Sequence, residues 1–196
     1  MADDFTLWDL GAYGSRDAIT PNIDRLAAEG MKMNRCYQAA PMCSPTRHNL
    51  LTGLSPVKSG AYPNHTYTKD NVKSVTHYLG DLGYRVGFSG KRHINPPAVF
   101  PFEYLGKEKN PQFDLVDRFL RESKEEQNPF ALFLMSNEPH MPWSKGDTSL
   151  FDGTKLSLPP NLLDTKETRS AYVRYLAEIN YLDAQVGQAM DLIKKH

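Results

Sequence analysis

The chain has 196 residues, and its 23 Lys and Arg are balanced by 23 Asp and Glu, so its formal net charge is zero. With 40% hydrophobic and 11% aromatic residues it has the composition of a folded globular protein, which excludes a disordered, collagenous or low-complexity chain. The balanced charge leaves no electrostatic footprint for nucleic acid. The longest apolar run, Phe130 to Met135, is far too short to span a bilayer, so neither nucleic acid nor membrane is an expected partner.

In chain order, Thr20-Pro21-Asn22 through Gly30 has the punctuation of a short helix, with Thr20 as N-cap, Pro21 in the first turn and Gly30 as the stop. A second helix follows Ser44-Pro45 and ends at Thr52-Gly53. A third runs from about Val72 to Leu82, with Val72, Val75, Leu79 and Leu82 on one face. Tyr84 to Phe88 reads as a short strand before a turn at Gly90, and Phe113 to Arg121 as another helix. Phe130 to Met135 is apolar on both faces, as a buried parallel strand should be. Prolines 139, 142, 159 and 160 mark an irregular stretch. The last helix covers roughly Thr165 to Lys195, capped by an Asp164–Glu167 box, with a stripe through Tyr172, Leu176, Ile179, Leu182, Val186 and Met190. Helices alternating with short apolar strands predict a layered α/β sheet whose sites lie beyond the strands' carboxyl ends.

Two cysteines, Cys36 and Cys43, cannot form a disulfide framework in a chain of this size. If Pro45 occupies a first helical turn, Cys43 lies just before a helix N-terminus. Unpaired backbone N–H groups there favour a thiolate or a bound oxyanion. Arg47, one turn on, can direct a planar cation at the same point. Taken alone, such a Cys is more often a small buried hydrophobe.

The surrounding pattern is more specific. Ala40-Pro41-Met42-Cys43-Ser44-Pro45-Thr46-Arg47, followed by Leu50-Leu51-Thr52-Gly53, resembles the signature of the type I sulfatases. Asp3-Asp4 with Asp9-Leu10-Gly11-Ala12-Tyr13-Gly14 is similar to that family's opening. Thr20 to Leu26, Gly90-Lys91-Arg92-His93, Pro139-His140-x-Pro142 and Tyr181 to Gly187 resemble later family segments, in the family's order. The run Gly90 to Phe102 is most similar to the N-sulfoglucosamine sulfohydrolase branch, which favours sulfated sugars as substrates.

The resemblance implies an alkaline-phosphatase-like α/β/α sandwich with a mostly parallel sheet, of which residues 1–196 would be the N-terminal part of a single catalytic domain, incomplete at both ends. It implies that Cys43 is oxidised by a maturation enzyme to formylglycine, whose hydrated gem-diol supplies the nucleophile. One hydroxyl attacks sulfur, and the other collapses the resulting ester to release sulfate. Asp3, Asp4 and the Cys43-derived diol would hold Ca2+, or alternatively Mg2+, since hard carboxylate oxygens suit those ions better than zinc. Lys91 would neutralise developing charge, His93 would hydrogen-bond the diol or its sulfate ester, and His140 would touch sulfate or protonate the leaving group. A Cys36–Cys43 bridge would block that oxidation, so Cys36 reads as a buried thiol. His48 reads as solvent-facing or packed on its helix, and His65 as a turn residue bordering a cleft.

Three rival readings stand beside this one: a phosphate or phosphonate monoester hydrolase of the same superfamily, a truncated non-catalytic domain, and a hydrolase using Cys43 as thiolate. No signal peptide is visible in the first residues, while family resemblance implies a periplasmic, secreted or lysosomal setting. The chain by itself is expected to be incomplete and inactive as a sulfatase, because it lacks further cation ligands, with Asp147 or Asp152 as the only stand-ins.

Overall fold

The computed structural model describes all residues, 1–196. In chain order its helices and strands are α1 (Pro21–Glu29), α2 (Cys43–Thr52), α3 (Pro56–Ser59), α4 (Val75–Asp81), β1 (Arg85–Gly90), β2 (Glu103–Tyr104), α5 (Phe113–Glu125), β3 (Phe130–Met135) and α6 (Lys166–Lys195). They divide into two compact units. The first comprises Asn34–Ser136 with Met1 and His196, and the second comprises Ala2–Met33 with Asn137–Lys195.

The first unit is built on a parallel sheet of order β2-β1-β3. β1 is central, and its register runs from Arg85 opposite Phe130 to Gly90 opposite Met135. Val86 and Phe88 pack into a core with Leu51, Ile94, Val99, Phe100, Phe102 and Met135. Gly87 is required on the opposite face: a Cβ there would lie 2.9 Å from the Phe119 ring of α5. Buried Ser89 is fully engaged, donating to the Leu105 carbonyl at 2.9 Å and accepting from the Gln112 N–H at 3.0 Å.

Three expectations shift here. β1 continues two residues past Phe88, to Gly90. β3 is half-buried rather than enclosed on both faces, with Phe130 40% exposed. Met1 lies along its far end, donating to the Leu134 carbonyl and accepting from Ser136 N–H. The third helix starts only at Val75, because Ser74 and His77 form a reciprocal capping box, and Leu82 is left exposed.

The second unit is organised on α6. Its stripe buries Tyr172, Leu176, Ile179 and Leu182 as expected, the first three of them in a cluster with Leu156. Buried acids tie the loops to it. Asp183 accepts from Asn22 N–H at 3.1 Å, the Asn22 amide at 2.8 Å and Ile23 N–H at 2.8 Å. Thus Asp183, not Thr20, caps α1. Thr20 instead donates to Asp24 and accepts from Gly11 N–H. Asp9 accepts from the hydroxyls of Tyr172 and Tyr175 at 3.1 and 2.9 Å, and burial with that neighbouring charge pushes both phenols well above their usual range. Likewise Thr165, not Asp164, caps α6 by accepting from Thr168 N–H, while Asp164 forks the Arg169 guanidinium at 2.6 and 2.8 Å. No helix is long and apolar enough to cross a membrane.

Candidate active site

In the first unit, Cys43 opens α2, with Met42 as N-cap. It is a free thiol of intermediate burial, and Cys36 is free and exposed rather than buried. Ser44 N–H, one of the helix's otherwise orphaned donors, is capped by Asn64 Oδ1 at 3.2 Å. Arg47 is wholly buried, and its Nη1 donates to the Lys91 carbonyl at 2.7 Å. A guanidinium enclosed in this way is costly unless donors and charge are satisfied, so its burial marks a position specified for more than solubility.

The strand end explains how Lys91 reaches this point. Gly90 has φ +106°, and any Cβ there would overlap the Met135 carbonyl oxygen. Glycine therefore lets β1 close against the end of β3, and Lys91 N–H donates to that same Met135 carbonyl at 2.8 Å. Arg92 turns away, its guanidinium stacked 4.0 Å from the Tyr104 ring centroid and donating to Gly106. His93, at φ +50°, follows. Its Nε2 lies 2.8 Å from His65 Nδ1. His48 is completely buried, packed on its own helix rather than facing solvent: Nδ1 meets the Ser44 carbonyl and hydroxyl, and Nε2 meets the Asn95 backbone.

In the second unit, Asp3 is buried and its N–H donates to the Glu138 carbonyl at 3.1 Å. Asp4 is exposed at φ +53°, with its Oδ2 3.7 Å from His140 Nε2. The other ring nitrogen of His140 meets the Met141 carbonyl at 2.6 Å. Adjacent carboxylates with one buried member are a donor set suited to a hard divalent cation, so Asp3 and Asp4 fit Ca2+ or Mg2+.

The loop carrying His140 is anchored by buried acids. Glu178 accepts from Ser144 and Lys145 N–H at 2.6 and 2.7 Å, and Glu138 takes the Lys145 ammonium at 3.0 Å. Burial, together with the neighbouring Glu138 carboxyl, raises Glu178 to about 7. Burial opposes the Lys145 charge most strongly, but the hydrogen bond and charge of Glu138, together with the charges of Tyr181 and Glu178, outweigh it in sum and raise that ammonium. Asp147 and Asp152 hold their own turns through Ser149 and Thr154, which gives both a local structural task. A cleft of about 850 Å³ lined by Trp8, Arg16, Asp17, Asn161 and Tyr172 includes none of the site residues expected from sequence.

Within each unit, then, the structure joins Arg47 to Lys91 and Asp4 to His140. His65, Asn64 and His48 are the neighbours whose roles sequence underrated. Their signal, polar residues in a Pro-containing turn and on a short helix, is shared by many surface loops.

The sulfatase family model matches residues 1–196. Among curated relatives, the ulvan-active sulfatase of Formosa agariphila is 35% identical over 148 residues, covering 71% of this chain and 29% of that protein. The human N-sulphoglucosamine sulphohydrolase is 30% identical over 154 residues, covering 71% of this chain and 30% of that protein. The solved structure of Ps i-CgsB in complex with k-i-k-neocarrahexaose superposes with a TM-score of 0.78 at 26% identity, over 99% of this chain and 53% of that one. The chain thus spans about half the length of that structure. It has the alkaline-phosphatase-like α/β fold of those neighbours, and it belongs to the sulfatase family.

Proposed function

We propose that this chain supplies the nucleophile, anion-binding and cation-binding residues of a sulfate-ester or sulfamate hydrolase acting on a sulfated sugar. The observation that carries the reading is the buried Arg47 guanidinium, one helical turn from Cys43 and hydrogen-bonded to the backbone of Lys91. Two segments distant in sequence are thereby locked together around a cationic centre, as binding of an oxyanion requires. The sugar preference rests on the similarity to relatives named for ulvan and N-sulphoglucosamine.

In this reading Cys43, converted to formylglycine by a maturation enzyme, supplies an aldehyde hydrate as nucleophile at the start of α2. Arg47 holds the segment and contributes fixed positive charge. Lys91 stabilises charge on the transferring sulfuryl oxygens, and His93 orients the nucleophilic oxygen. Asp3 and Asp4 hold Ca2+ or Mg2+, which when bound supplies Lewis-acid polarisation of sulfate oxygens. His140 protonates the departing oxygen or nitrogen.

The test is turnover by the protein co-produced with a formylglycine-generating enzyme, using aryl sulfate and aryl phosphate side by side. Sulfate turnover that falls about 10²–10³-fold in Lys91→Ala and His140→Ala, with thermal stability retained, is the expected result. Preference for the phosphate ester would transfer the site to phosphoryl chemistry. No turnover despite complete conversion of Cys43 and added Ca2+ would mean that this chain by itself is not a competent hydrolase.

A further inference from the structure

We infer that His65 is a positioning residue for His93: it holds the orientation of the His93 ring and couples the tautomer of His93 to its own. Nothing in the family signature requires this residue, and its sequence context reads as an ordinary turn. The inference rests on the proposed role of His93, but its test does not depend on turnover alone.

The geometry carries it. His65 Nδ1 and His93 Nε2 are 2.8 Å apart, and the ring centroids are 4.6 Å apart with planes inclined by 38°. A contact this short between two imidazole nitrogens holds one proton: one nitrogen donates and the other accepts. Whichever nitrogen donates, His93 Nε2 is committed, and the protonation of Nδ1 on the neutral ring follows from it. Nδ1 is shielded from solvent, whereas His65 itself is exposed. The pair therefore has one enclosed end and one wet end.

The turn is built to present His65. Its backbone lies at φ +64°, a conformation L-residues rarely adopt without support. The turn is closed by Thr66 Oγ1 donating to the Pro63 carbonyl at 2.6 Å. On one side Asn64 caps Ser44 N–H at the start of α2. On the other, Thr68 donates to the Asn95 carbonyl from both N–H and hydroxyl, at 3.1 and 3.0 Å. The segment is thus anchored to the residues after Cys43 and to those after His93, and His65 sits between the two anchors. A solvated turn would need neither.

Amide isosteres separate positioning from bulk. Asn places a polar atom near the Nδ1 position of His, and Gln places one near Nε2. Gly removes the ring without straining the positive φ. The first readout is the tautomer of His93 in the ¹⁵N-histidine-labelled 196-residue chain, read from long-range ¹H–¹⁵N correlations of the imidazole. We expect the neutral-tautomer balance of His93 to be kept in His65→Asn and to shift in His65→Gly and His65→Gln. The second readout, on protein carrying converted Cys43, is sulfate-ester hydrolysis. Loss of one neutral hydrogen bond should lower kcat roughly three- to tenfold in His65→Gly with KM little changed, and His65→Asn should restore most of it. An unchanged His93 tautomer in His65→Gly overturns the inference. So does equal kcat in His65→Gly and the parent. A tautomer change in a protein that hydrolyses no sulfate ester would leave the His65 assignment standing and remove the catalytic reading instead.

Discussion

The two units hold their polar residues in place by different means. In the first, backbone does the work: the register of β1 on β3, the forced glycine at Gly90 and the carbonyls of Lys91 and Met135 position Arg47 and Lys91 beside an apolar core built on β1. In the second, without a sheet, buried carboxyl groups take that part. Asp183 holds α1, Asp9 holds two tyrosines, and Glu138 with Glu178 holds the His140 loop. The first unit should therefore be sensitive to volume, and the second to charge and pH.

The largest effect is expected from Phe88→Ala in the first unit. Phe88 is 1% exposed and packs against Phe102 and Tyr104, so its truncation should cost about 3–5 kcal/mol in urea denaturation. Asp183→Ala in the second unit creates little volume change but strips the acceptors from Asn22 and Ile23 N–H. A loss of about 2–4 kcal/mol is expected, together with faster amide exchange in α1 while β1 keeps its protection. Uniform loss of protection across both elements would contradict the difference between the units.

Glu178 sharpens the same comparison through pH. Its folded-state value, about 7 against 4.5, means that the folded protein retains a proton which the unfolded chain has released. Between those values the unfolded state binds fewer protons, so this group makes stability fall as pH rises through the window. Glu178→Gln keeps an oxygen for the Ser144 and Lys145 N–H groups while abolishing the titration. The variant should match the parent near pH 4.5 and gain on the order of 2 kcal/mol relative to it by pH 8. Parallel stability curves for the two proteins would show that the Glu138–Glu178 pair does not carry the raised value.

Most of the sheet and its flanking helices were legible in the sequence because they rest on local signals. Gly90, the Phe130–Met135 run and the α6 stripe each announce themselves by composition or period. The caps were not, because the acceptors that satisfy α1 come from Asp183, 160 and 161 residues away. The same limit hid His48 and His65. A histidine's burial and partner depend on which distant backbone reaches it, here Asn95 for His48 and His93 for His65. Cys36, expected to be buried from its residue type, is exposed because its segment lies outside the regular elements. The motif that proposes the site could be read for the opposite reason, since Cys43, Pro45 and Arg47 lie within a single helical turn and a half of one another.

The central claim, that Cys43 is the precursor of the nucleophile, is tested most directly by the mass of the Cys43 peptide. The chain should be produced in cells containing a formylglycine-generating enzyme and digested, and its Cys43 and Cys36 peptides compared with those from cells lacking the enzyme. The account predicts an aldehyde at Cys43 that captures a hydrazide probe, an unmodified thiol at Cys36, and loss of the aldehyde in Arg47→Ala. Only thiol at Cys43, in cells that convert a control sulfatase fully, would contradict it.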